Sequence, residues 1–75
     1  MEAAQLITGR IRDWRLASGP GRLAYGMISV GAFSLSAATD QDTVRIFISC
    51  VDSLAETSAG HEFLSDISYH CAQAL

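Results

Sequence analysis

LAYGMISVGAFSLSAA, residues 23 to 38, is the stretch whose conformation sets the fold class. Read as a helix it is apolar all round, with its serines at scattered angles, so neighbours must cover it on every side. Gly26 and Gly31 would each oppose that helix by about 1 kcal/mol. Read as a strand, residues 33 to 37 alternate in polarity, and Tyr25, Ile28, Val30 and Phe33 favour extended backbone. A strand needs a partner, supplied by a fold-back of the segment, by residues 43 to 51 or by a second copy of the chain. The expected class is mainly α, a small bundle of three to four helices; the alternative is α+β, with residues 23 to 38 as a strand or hairpin between the first and second helices. A membrane span is not expected, because the run holds four hydroxyls and two glycines and is shorter than the ~20 apolar residues a span requires.

On its C-terminal side, TDQDTVRIFISCVDSLAE (residues 39 to 56) has the clearest period in the chain. Val44, Phe47, Ile48, Val51, Leu54 and Ala55 follow i, i+3, i+4, i+7 spacing, and Arg45, Ser49, Asp52 and Glu56 form a polar stripe. A helix over 40 to 57 is expected at the centre of the fold. Ile46 and Cys50 widen its apolar arc to roughly 200°, so more than one neighbour must pack on it. Thr39, Asp40 and Asp42 are the N-cap candidates, with carboxylates where the helix dipole favours negative charge.

On the N-terminal side, SGPGR (residues 18 to 22) reads as a tight connection that stops a preceding helix. That helix, EAAQLITGRIRDWRLA, is expected over 2 to 17, with Ala3, Ala4, Ile7, Ile11 and Trp14 on one stripe and Gly9 as a weak point. Trp14 should anchor it to the central helix, its indole N–H finding a partner at the rim. A last helix is expected over 59 to 75, capped by Ser58, with Phe63, Leu64, Ile67, Cys71, Ala74 and Leu75 inward.

The chain of 75 residues is expected to form one domain spanning 1 to 75, burying only about 60% of the surface its unfolded chain exposes. Apolar residues make up 49% and charged residues 17%, more apolar surface than so small an interior hides. Self-association is the simplest outlet and a partner protein the next. Net charge is −3, divided between +2 over residues 1 to 22 and −5 over the rest. The absence of lysine and asparagine, both encoded by AT-leaning codons, points to a GC-rich genome and so to a bacterium or its phage. Met1 is followed by Glu2 and by no basic-then-apolar run, so a cytoplasmic protein without signal peptide is expected. Two cysteines are no disulfide framework, and Cys50 and Cys71 are expected as buried, reduced thiols.

Motifs for chemistry are scarce, and no cofactor, metal or enzymatic activity is expected. His61, Glu62, Asp66, His70 and Cys71 are metal-ligand types, but helical spacing puts only Glu62, Asp66 and His70 on one stripe. Cys50 with a histidine would make a minimal thiol nucleophile, but no glycine-framed turn or oxyanion donor accompanies it. Gly26 and Gly31 lack the lysine and hydroxyl of a phosphate loop and read instead as sites of close backbone approach.

Two functional readings follow. The first is a small protein-binding module, an adaptor, inhibitor or regulator, acting through an oligomeric helical surface that includes Trp14, Tyr25, Val30 and Phe33. The second is a nucleic-acid-associated regulator using Arg10, Arg12, Arg15 and Arg22, the less favoured because these do not share one helix face. Arg10 and Trp14, at i and i+4, could instead stack.

Overall fold

The computed structural model describes residues 2 to 33 and 39 to 75, and at Glu2, Ala3, Ala4 and Phe33 the backbone alone. The described residues form five α-helices and no sheet: α1 (Glu2–Ile7), α2 (Ile11–Leu16), α3 (Gly19–Phe33), α4 (Gln41–Thr57) and α5 (Leu64–Gln73). The fold is mainly α, as the periodicities predict. The strand alternative fails for residues 23 to 33, which are helical, while the alternation over 34 to 37 lies outside the described residues.

Helix α4 is the centre, flanked by α3 and α5 and touched by α2. Its inward face is Val44, Phe47, Val51 and Ala55, four of the residues its period selects. Asp40 is the N-cap: its carboxylate accepts from the Asp42 N–H (3.1 Å) and from the Thr43 hydroxyl (3.0 Å). The wide apolar arc is only partly used, since Ile46 is 62% exposed.

Helix α3 reaches further back than expected. Gly19, Pro20 and Gly21 are its first turn and not a connection. Ser18 caps it, its Oγ accepting from the Gly21 N–H (3.1 Å) and its carbonyl from the Arg22 N–H (3.0 Å). Proline in a first turn removes an N–H that has no intrahelical partner anyway, so the run that looks like a stop serves as a start. Nor is α3 covered on every side. The molecule is only 17 Å across its thinnest dimension, about two packed helices, so α3 has one face on the core and one outward.

Gly26 sits where α3 crosses α4. A Cβ there would lie 2.8 Å from Ile48 Cγ1, closer than carbon atoms approach, and a tight 3.2 Å from Val44 Cγ1, so the close approach read from the sequence holds at this glycine. Gly26→Val is expected to push the two helices apart and cost about 1 to 3 kcal/mol, read as a fall in the thermal midpoint of roughly 4 to 8 °C per kcal/mol. An unchanged midpoint would show that the crossing yields freely.

The helix expected over 2 to 17 is broken in two. Thr8, Gly9 and Arg10 leave the helical path, and the Asp13 carboxylate accepts the Arg10 N–H (2.7 Å) to start α2. What breaks it lies far away in sequence. The Leu64 N–H donates to the Gly9 carbonyl (3.1 Å), the Ile11 N–H to the Glu62 carbonyl (2.9 Å) and the Arg12 N–H to the Gly60 carbonyl (3.1 Å). Arg10 and Phe63 thereby form an isolated antiparallel bridge. A side chain at Gly9 would meet the Gln5 carbonyl at 3.0 Å, Asp13 Oδ2 at 3.2 Å and Leu6 Cα at 3.3 Å, so the turn is tight there and favours glycine.

The same seam corrects the last helix. Residues 59 to 63 are the other half of the bridge and α5 begins only at Leu64; Ser58 closes α4 instead of opening α5. Phe63 is left half exposed, and the buried face of α5 is Leu64, Ser68, Cys71 and Ala72.

The cysteines are the third correction. Cys50 and Cys71 are joined in a disulfide between α4 and α5, with Cα atoms 5.8 Å apart. Both lie on apolar faces, as expected, but where α4 packs on α5 those faces bring them within bonding reach. Closing a loop over a sequence separation of 21 stabilises the fold by about 3 kcal/mol in the chain-entropy account.

Candidate functional site

Trp14, Tyr25 and Val30, expected at a partner surface, are core residues at 1%, 3% and 0% exposure. The Phe33 side chain lies outside the described residues. Trp14 docks α2 on α4 as its size predicts: its Nε1–H donates to Asp52 Oδ1 at 2.7 Å, and its ring meets Tyr25 edge-on at 5.8 Å between centroids. The Tyr25 hydroxyl and Ser68 Oγ are 2.8 Å apart, and Ser68 Oγ donates to the Leu64 carbonyl at 2.8 Å. These three side chains are therefore inside this protomer and unavailable to a partner.

Arg15 and Arg22 line one pocket together with Asp52 and Glu56, while Arg10 is held elsewhere. Arg10 stacks on the Phe63 ring at 4.1 Å and donates to the His61 carbonyl at 2.7 Å, so its ring partner is Phe63 and not Trp14. Arg15 donates to the carbonyls of Ala55 and Ser58, where α4 ends and its dipole is negative. Arg22 does the same for α2, donating to the Trp14 carbonyl (3.0 Å) and the Arg15 carbonyl (3.1 Å), and lies over the Trp14 ring at 5.4 Å. Arg12 is exposed. Three of the four guanidinium groups thus serve as helix caps and struts, and the two that share a pocket share it with two carboxylates.

Glu62, Asp66 and His70 do not share one helical stripe. Glu62 precedes α5, and its carboxylate accepts from the Ala59 N–H at 3.1 Å. Among the described residues no three His, Cys, Asp or Glu side chains are placed to hold one ion. Cys50 is bonded to Cys71 and carries no thiol.

What remains is an apolar face that sequence reading located only in outline. The outward side of α3 carries Leu23, Met27 and Ile28, flanked by Ile7 of α1 and Tyr69 of α5, all between 46 and 57% exposed. On one flank, Ile7, Ile28, Ala32, Ser65 and Tyr69 line a groove of about 250 Å³ between α3 and α5, floored by Tyr25 and Ser68. On the other, Leu23 and Met27 face Val44 and Arg45 across a second groove of about 250 Å³. Between the grooves runs a low crest of Ala24 and Gly31, both partly buried. The signal was the absence of charge from residue 23 to 38, and what it lacked was which residues turn outward. Comparison with protein-family models, curated proteins and solved structures finds no match for the chain.

Proposed function

We propose that this chain is a small protein-binding module, an adaptor or regulator of a bacterium or its phage, that pairs with a second copy of itself through the outward face of α3. The observation that carries the reading is the uncharged ridge of α3 between two grooves, with Leu23, Met27 and Ile28 half exposed. The largest apolar patch on a monomer, roughly 300 to 600 Å², is often functional, and this is a contiguous patch of half-exposed large apolar side chains. A ridge with a low crest fits the groove of a like helix, and a ridge without charge of its own, with Arg45 only at the far wall of one groove, meets its copy across a two-fold axis with little like-charge repulsion. It acts by binding, through this face of α3.

The alternative, nucleic-acid association, has less support, because Arg10, Arg15 and Arg22 direct their donors to carbonyl oxygens of this chain. No helix among the described residues is long and apolar enough to cross a membrane. A cytoplasmic setting belongs to the proposal with one consequence: a glutathione-reduced compartment keeps thiols reduced, and the Cys50–Cys71 bond would stand open there.

Val30→Asp tests stability alone, because Val30 is buried. Ile28→Asp is the informative change. Sedimentation of the wild type should give twice the monomer mass of 8.0 kDa at high concentration, and Ile28→Asp a monomer of unchanged helicity. A wild type that stays at the monomer mass at every concentration would overturn self-pairing. Capture of a different protein that Ile28→Asp abolishes would replace the second copy with that partner.

A further inference from the structure

We infer that Cys50 is the sulfur at which this protein exchanges with small external thiols, and that Cys71 is the resolving sulfur that closes the bond again. The two ends of the disulfide are not equivalent. Cys50 is partly exposed on α4, one turn after Ile46, which is 62% exposed. Cys71 is 1% exposed, on the buried face of α5 with Leu64, Ser68 and Ala72. Thiol–disulfide exchange depends on which sulfur an incoming thiolate can reach, and only the Cys50 end offers access. The grooves beside α3 are lined by other residues, so this chemistry stands or falls apart from pairing.

The step balances without a further oxidant or reductant. The thiolate bonds to Cys50 Sγ, the Cys50–Cys71 bond breaks, and Cys71 leaves as a thiolate that takes a proton from solvent; one S–S bond forms as one is lost. In reverse, the Cys71 sulfur attacks the mixed disulfide at Cys50 and expels the small thiol. No helix has to leave the bundle for either direction. A change of rotamer at Cys50 carries the attached thiol outward, while α5 stays where Leu64 and the Ser68 contact to Tyr25 hold it. With the two Cα atoms held 5.8 Å apart by the packing of α4 on α5, the resolving sulfur waits beside its target at high effective concentration.

Peptide mapping by mass spectrometry of the full chain tests this. The oxidised protein is held in excess glutathione at neutral pH, quenched with acid and alkylated. Glutathione should be found on Cys50 with the alkyl group on Cys71, on the order of tenfold more often than the reverse. The single variants give a second reading, since both lose the bond alike. Cys71→Ala should take glutathione from glutathione disulfide at Cys50 on the order of tenfold faster, in the native state, than Cys50→Ala takes it at Cys71, and urea should erase the difference. Adducts shared evenly between the two sulfurs of the wild type would overturn the assignment, as would equal native rates in two variants that keep wild-type helicity. Where Cys71 resolves the wild-type adduct before the quench, the variant rates decide; where a variant loses its helicity, the wild-type map does.

Discussion

Phe47→Ala is expected to lower the free energy of unfolding by about 3 to 5 kcal/mol, while Arg45→Ala, two residues away, changes it by less than about 1. Phe47 has no solvent exposure and sits at the middle of the α4 face against which α3 and α5 pack, so truncation leaves a cavity that three helices border. Arg45 lies on the exposed side of the same helix. A chain of this length is stable by only about 4 to 11 kcal/mol, so the loss at Phe47 removes a large share of the whole. Urea midpoints decide it: equal midpoints for the two variants would mean that the assigned inward face of α4 is wrong.

Trp14→Ala is the second large effect, again about 3 to 5 kcal/mol, with a different anatomy. The indole fills the space between α2 and α4, meets Tyr25 edge-on and carries the Arg22 guanidinium on its face, so its removal loosens three elements at once. Trp14→Phe separates packing from hydrogen bonding. It keeps much of the apolar volume but loses the bond to Asp52, whose carboxylate is 45% exposed and regains water, so it should cost only about 1 to 2 kcal/mol. Matching losses for the two variants, measured by chemical denaturation followed by circular dichroism, would assign the stabilisation to the Asp52 bond alone.

The parts of the fold readable from the sequence are those whose cause is local. The period of α4, its Asp40 cap and the docking role of Trp14 all follow from neighbouring residues, and all stand in the structure. The failures share an opposite cause. Ile7, Ile11 and Trp14 keep one helical stripe across Gly9, and nothing in residues 2 to 17 announces that main-chain groups of residues 60 to 64 will bond there. Ser58 has the composition of an N-cap but lies where the chain leaves α4. Cys50 and Cys71 are 21 residues apart, and only the packing of α4 on α5 decides that they meet. Gly-Pro-Gly is locally ambiguous between stop and start, and Ser18 resolves it by capping forward.

For the candidate site, the sequence located the segment and missed the side. An unbroken apolar run identifies α3 as the element needing cover, but Tyr25 and Val30 cannot be told from Met27 and Ile28 until the neighbours are in place. Large side chains such as Trp14 and Tyr25 suit a binding surface by type, but here they fill the core, as their greater burial energy favours.

The seam between residues 9 to 12 and 60 to 64 bears on how the molecule is made. A ribosome releases the chain from its N-terminus, and when α1 and α2 emerge the carbonyls of Gly60 and Glu62 that receive the Arg12 and Ile11 N–H groups do not yet exist. The turn at Gly9 lacks its partner until Leu64 is outside the tunnel, so residues 2 to 16 wait for residues 60 to 64 to follow them out. The seam therefore closes only when residues 9 to 12 and 60 to 64 meet, a long-range closure that slows the search but leaves no finished N-terminal part ahead of the rest.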